Sequence, residues 1–122
     1  MLARAVGGEA VTRARLREDF FDAVVNATPV GMFPAVERSP LTEHELNCRL
    51  VFDLVYRPIE TKLLQLAARR GIETISGLEM FLAQGVAQWE IWTGQRAPVA
   101  AIRRAVLDAL GVGGKQNLRA QG

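Results

Sequence analysis

Three apolar runs in this chain each break at a turn marked by Gly or Pro. Phe20-Phe21-Asp22-Ala23-Val24-Val25 leads into Asn26-Ala27-Thr28-Pro29-Val30-Gly31-Met32, Leu50 to Val55 into Tyr56-Arg57-Pro58, and Glu73-Thr74-Ile75 into Ser76-Gly77-Leu78-Glu79. Short runs rich in β-branched and aromatic residues, closed by turn residues, read as strands. Between the second and third, Ile59, Leu63, Leu66, Ala67 and Arg70 recur at helical spacing until Gly71 stops the run. Strands alternating with helices pair in parallel through crossovers, so the expected fold is α/β with three to four strands. That is half of a doubly wound sheet, whose strands carry ligand-contacting turns at their C-terminal ends.

The flanking segments extend the pattern. Leu2 to Val6 reads as the end of a helix stopped by Gly7-Gly8, so the chain is expected to continue a structure begun upstream. Glu9-Ala10-Val11 suits a short strand, and Thr12 an N-cap for the Arg-rich turn Arg13 to Glu18. Phe33 to Pro40 holds two prolines and is expected as a surface loop. Thr42-Glu43-His44-Glu45 and Ser76-Gly77-Leu78-Glu79 both have the capping-box spacing, the first opening a short helix to Asn47, the second a helix to Trp92. Pro98, then Val99, Ile102, Val106 and Leu110 on one face, and finally Gly111, mark a last helix. Residues 112–122 are Gly-rich and polar without periodicity and read as a mobile tail behind a domain of residues 1–111.

Composition narrows the function classes. The 122 residues are 49% hydrophobic, enough for the core of one domain. Fifteen basic and 13 acidic residues are interspersed, without the basic and aromatic cluster of nucleic-acid binders. No apolar stretch approaches the ~20 residues of a membrane span. A single cysteine, Cys48, allows neither an internal disulfide nor a Cys-based metal cluster, and a cytoplasmic location is the default expectation. Cys48 itself reads as a small core residue and His44 as solvated.

Each turn has a mechanical reading beside a chemical one. Asn26, Pro29 and Gly31 can simply build a sharp turn, or Thr28 and nearby N–H groups can face a ligand. Asp53 is an odd charge in an apolar run and is expected to accept hydrogen bonds that shape the loop after it. Gly77, Met80 and Gln84, at i, i+3 and i+7, share one side of their helix, beside a neighbouring stripe of Leu78, Phe81, Leu82, Gly85 and Trp89 suited to packing. Trp89 and Trp92 are expected to anchor the last helix, and Arg69 and Arg70 to complement a helix C-terminus.

In their order, the runs Asn-Ala-Thr-x-x-Gly-Met at Asn26 to Met32, Asp-x-x-Tyr-x-Pro at Asp53 to Pro58, and Gly-Leu-x-Met-x-x-x-Gln at Gly77 to Gln84 resemble the C-terminal half of the shikimate dehydrogenase family, from about Ala10 to Leu110. The resemblance implies a Rossmann-like sheet followed by C-terminal helices. It implies Thr28, Leu54, Gly77 and Met80 beside an NADP nicotinamide, and Tyr56 and Gln84 as binding groups for the substrate. The implied reaction is NADPH-dependent reduction of 3-dehydroshikimate to shikimate, in aromatic amino-acid biosynthesis. Glu79, and the trailer Gln84-Gly85-Val86-Ala87-Gln88-Trp89-Glu90-Ile91-Trp92-Thr93-Gly94, look more like the branch fused behind a dehydroquinate dehydratase, although a capping role also explains Glu79.

The family's proton-handling Lys and Asp, its Gly-rich phosphate loop and its Asn-Arg-Thr element have no counterparts here, so no catalytic residue and no metal ligand is assigned and the chain alone is expected to be inactive. Two alternatives stand beside this reading. One keeps the family but takes quinate. The other is a non-catalytic module that pairs with a copy of itself, as a homodimer, or with a chain carrying the N-terminal half; a half-sheet would bare about 500 Å² of apolar surface, roughly 12 kcal/mol of burial.

Overall fold

The computed structural model describes residues 2–112, which fall into two compact units divided between Ser76 and Gly77. The expected tail lies outside the described residues except for Val112. The first unit carries α1 (Leu2–Ala5), α2 (Arg15–Glu18), β1 (Phe21–Asn26), a 3-10 turn (Glu43–Glu45), β2 (Cys48–Asp53), α3 (Lys62–Arg69) and β3 (Glu73–Ile75). Its strands form a parallel sheet in the order β1-β2-β3, with Asn26 beside Asp53 and Phe52 beside Ile75. The α/β class and parallel pairing are thus as expected, with three strands among the described residues.

The core of this unit is built from β2, the residue Leu46 shortly before it, and α3. Leu46, Cys48, Val51, Leu63, Leu64 and Ala67 are buried together, ringed by Phe21, Val24, Leu41, Leu66 and Ile72. Helix α3 contributes Leu63, Leu64 and Ala67, at positions that share one helical face. It starts where it does because the Thr61 hydroxyl accepts the Leu64 N–H at 3.3 Å. Ile59, expected inside this helix, therefore precedes it. The helix ends because Gly71 adopts φ +71°, which lets Gly71 N–H reach the Ala68 carbonyl and Ile72 N–H the Ala67 carbonyl, both at 3.0 Å. Burial pushes the Cys48 thiol up, which keeps it protonated and inert as a small core residue.

Several local expectations are corrected. Glu9 to Val11 forms no strand: Glu9 pairs instead with Arg15 at 3.0 Å, and no neighbouring strand offers it a ladder. Thr12 gives only its carbonyl, to Arg15 N–H at 3.2 Å, and α2 begins after Ala14 with no side-chain cap. Strand β2 begins at Cys48 and stops at Asp53 rather than Val55, because the Asp53 carboxylate takes the Val55 N–H at 3.0 Å and turns the chain off the ladder. Arg70 reaches across to the Glu43 carbonyl at 2.6 Å instead of serving only its own helix end.

The loop between β1 and β2 is held by a buried acid. Glu45 reaches back to Thr42 N–H at 3.1 Å, the expected capping-box contact, and also accepts Arg13 through both oxygens at 2.6 and 2.8 Å. Arg13 outweighs the opposing effect of burial, and with help from Thr42 it holds the Glu45 carboxyl down at about 2, against 4.5 ordinarily. A carboxyl depressed by folding stabilises the protein fully above its unfolded value, and that contribution is lost as pH falls from 4.5 toward about 2. The thermal midpoint of the natural chain is therefore expected to drop more steeply across this window than that of Glu45→Gln. Parallel pH profiles would remove Glu45 from this role.

The second unit consists of α4 (Gly77–Thr93) and α5 (Val99–Ala109). Glu79 directs both carboxylate oxygens to Arg103 on α5, at 2.9 and 3.1 Å, and Glu90 accepts Ala97 N–H at 3.1 Å, so α4 is tied near its start to α5 and near its end to the link that precedes α5. Trp89 and Trp92, expected to anchor the last helix, stay 41% and 78% exposed, so Trp92 offers little to such an anchor, and the side-chain hydrogen bonds that tie α4 to α5 and to the link before it come from Glu79 and Glu90. No helix among the described residues is long and apolar enough to cross a membrane.

Candidate functional site

Parallel pairing brings the C-terminal ends of β1 and β2 side by side, and the two loops that leave them are joined at base and tip. At the base, Asp53 is 0% exposed. Its Oδ1 accepts Asn26 Nδ2 and Val55 N–H, each at 3.0 Å, while its Oδ2 accepts the Thr61 hydroxyl at 2.6 Å. Three neutral donors thus satisfy the charge. At the tip, Phe33 N–H donates to the Arg57 carbonyl at 2.8 Å, and the Arg57 guanidinium lies 4.9 Å from the centre of the Phe33 ring.

Asn26 uses its whole amide. Nδ2 donates to the Val30 carbonyl at 3.2 Å and to Asp53, while Oδ1 accepts Thr28 N–H at 3.0 Å and the Thr28 hydroxyl at 2.7 Å. Two acceptors on one side and a backbone donor on the other permit a single orientation of this amide. The turn is completed by Val30 N–H on the Thr28 oxygen at 3.2 Å, and by Gly31 at φ +96°, where a Cβ would lie 3.0 Å from the Arg38 carbonyl. The mechanical reading of Asn26 to Met32 therefore holds in full. Thr28 is exposed, but its hydroxyl belongs to the turn, so what it offers outward is its remaining surface.

The other expected residues fall as follows. Leu54 is half-buried with its N–H on the Asn26 carbonyl at 3.1 Å, and Tyr56, two residues further, is exposed. On α4, Gly77 is buried while Met80 and Gln84 are exposed. The Gln84 Nε2 donates to the Phe81 carbonyl at 3.0 Å, which uses one of the two N–H donors of its amide. A separate hollow of about 510 Å³ opens among Arg13, Ala14, Arg17, Glu18, Thr42 and Glu45. None of the expected site residues lines it, and its buried carboxylate is already saturated by Arg13 and Thr42.

Sequence reading missed Thr61 as the second anchor of Asp53 and Asn26 as the centre of its network. Both leave a faint trace: Thr61 stands directly before a helical run, and Asn26-Ala27-Thr28 has the spacing at which an Asn side chain caps the residue two ahead.

The comparisons with known proteins agree with this architecture. Residues 77–107 match the family model described as the shikimate 5'-dehydrogenase C-terminal domain. A shikimate dehydrogenase (NADP(+)) of Moorella thermoacetica is 48% identical over 91 residues, covering 74% of this chain and 31% of the relative. Among solved structures, shikimate 5-dehydrogenase of Thermus thermophilus in complex with NADP(H) and shikimate aligns with a TM-score of 0.77 at 33% identity, over 88% of this chain and 41% of the other. Quinate dehydrogenase of Corynebacterium glutamicum in complex with NAD aligns at 0.70 with 35% identity, over 88% and 40%. The chain spans about a third of the length of the curated relatives it matches. With its parallel strands, its ordered turns and these matches, the chain belongs to the shikimate dehydrogenase family and corresponds to its C-terminal part.

Proposed function

We propose that residues 1–111 form part of an NADP-binding shikimate dehydrogenase domain and supply the surface that orients the nicotinamide and the substrate. The observation that carries this is the joining of the β1 and β2 exit loops through Asn26 and Asp53, which presents Thr28, Leu54 and Tyr56 at the C-terminal end of a parallel sheet. Thr28, Leu54, Gly77 and Met80 are assigned to the cofactor, Tyr56 and Gln84 to the substrate. The residues of the first unit fit the nicotinamide end of NADP, Leu54 offering apolar surface to a ring and Thr28 a rigid turn; on the second unit, Met80 is an exposed apolar side chain of the kind a ring packs on. They do not provide for the pyrophosphate, since no Gly-x-Gly-x-x-Gly loop occurs in the sequence.

When bound, the cofactor supplies the hydride chemistry; this chain's residues bind and orient. Tyr56 presents a phenol to a carboxylate or ring hydroxyl, and Gln84 hydrogen-bonds the substrate through its amide. Proton transfer is not assigned to any residue here, so the chain alone performs no turnover. Shikimate is favoured over quinate because the curated relatives bear the shikimate name. A cytoplasmic setting fits the single buried cysteine.

Among the described residues β1 pairs on one side only, and Phe20 just before it and Val25 within it are exposed, as are Ile91 and Trp92 on α4. This favours association, either with a second copy or with a polypeptide carrying the portion of the relatives that this chain does not span. The experiment mixes the full chain with that portion of the Moorella relative and follows NADP+-dependent oxidation of shikimate. Neither component alone is expected to turn over, and the mixture is. In the mixture, Gln84→Ala is expected to lower kcat/KM about tenfold and Tyr56→Phe by a few-fold, as single lost hydrogen bonds do. Turnover by the chain alone, or a mixture indifferent to both substitutions, would refute the reading.

A further inference from the structure

We propose that Asp53 is a positioning residue whose Oδ1 makes the turn after β1 and the loop after β2 move as one body. A buried carboxylate is costly, and an apolar side chain of similar volume would pack here without desolvating a charge. What an apolar residue could not do is accept two donors from two different loops at one atom. Oδ1 does so: Asn26 Nδ2 brings the Thr28 turn, and Val55 N–H brings the loop that carries Leu54 and Tyr56. Oδ2 has a separate task, holding Thr61 where its oxygen can cap α3.

Asn26 transmits the constraint outward. Its Oδ1 fixes Thr28 through two bonds and its Nδ2 fixes the Val30 carbonyl. An uninterrupted path of hydrogen bonds therefore runs from the Val30 N–H and Thr28 hydroxyl, through Asn26 and Asp53, to the Val55 N–H. For function this rests on the reading that Thr28 faces the cofactor and Tyr56 the substrate: one atom would set the spacing between a cofactor contact and a substrate contact. The coupling itself needs no ligand.

The test is amide hydrogen exchange, with amide shifts, on the isotopically labelled full chain without ligand. Asn26→Ala breaks the bridge at Asp53. It is expected to speed exchange about tenfold or more at Thr28 and also at Val55, which Asn26 does not touch, while Val51 and Ala67 in the core change by no more than about threefold. Thr61→Val removes the Oδ2 bond and the cap of α3 but neither bond at Oδ1, and should leave Thr28 and Val55 within about threefold of the natural chain. Asp53→Asn keeps an oxygen facing both obligate donors and turns its amide toward Thr61, so it should rescue both loops. Exchange raised at Thr28 but not at Val55 would overturn the proposal. So would an equal rise at Val51 and Ala67, which would mean lost stability alone, or an Asp53→Asn variant as loose as Asn26→Ala. Failure of these outcomes would leave the ligand assignments standing, and failure of the mixed assay would leave the coupling standing.

Discussion

Asn26→Asp, a change of one nitrogen to oxygen, is expected to destabilise the first unit by roughly 3–5 kcal/mol at neutral pH, the scale of an uncompensated buried charge. The site now has a donor facing two acceptors, the Val30 carbonyl at 3.2 Å and the Asp53 carboxylate at 3.0 Å. An oxygen placed there satisfies neither, and two carboxylates at that distance cannot both ionise. One of them must bind a proton, so its carboxyl is raised in the folded variant above the unfolded value of about 3.9. A raised acid favours the folded state at low pH, so the deficit relative to the natural chain should shrink as pH falls toward about 4 and grow as pH rises. Urea unfolding followed by circular dichroism at neutral and mildly acidic pH reads both effects. A variant within about 1 kcal/mol of the natural chain at neutral pH would mean that the Asn26–Asp53 contact contributes little more than an ordinary hydrogen bond.

Leu63→Ala is expected to cost about 3 kcal/mol. Leu63 is 1% exposed at the centre of the cluster that also holds Leu46, Val51, Leu64 and Ala67, so removing three carbons forfeits their transfer energy and leaves a cavity walled by the sheet and α3. The contrast is Ile91, larger in side chain than the alanine that would replace it but 79% exposed on α4. Ile91→Ala should change stability by no more than about 0.5 kcal/mol in the isolated chain. Midpoints of urea unfolding for the two variants decide the matter, and similar losses would misplace the core.

What could be read from the sequence was local. Gly71 and Gly111 were legible as helix stops because a helix end needs a residue that tolerates positive φ, and both adopt it, at +71° and +76°. Strand β3 falls on Glu73–Ile75 as expected, since it is short and bounded by turn residues, and the Thr42–Glu45 contact spans three residues. The expectation that Asp53 accepts hydrogen bonds also holds, because a carboxylate in an apolar run has few alternatives.

Partners distant in sequence were not legible. Asn26 and Asp53 lie 27 residues apart, Arg13 and Glu45 32 apart, and only the strand order and the closed β1–β2 connection bring them together. The same limit explains the Glu9 to Val11 segment, whose β propensity has no effect without a neighbouring strand. It also explains Trp89 and Trp92, whose spacing marks a shared helix face without saying what, if anything, lies against it. At the candidate site the sequence named the turns, but it could not tell that the Thr28 hydroxyl and the Gln84 amide would be engaged by their own backbone neighbourhood.

Methyl-labelled chain in the complemented mixture, with NADP+ added, allows proximity to be read from nuclear Overhauser effects between nicotinamide ring protons and side-chain methyls. Transfer to the Leu54 δ and Met80 ε methyls is the expected outcome. Transfer confined to other methyls, in a mixture that turns over, would contradict the assignment of Leu54 and Met80 to the cofactor.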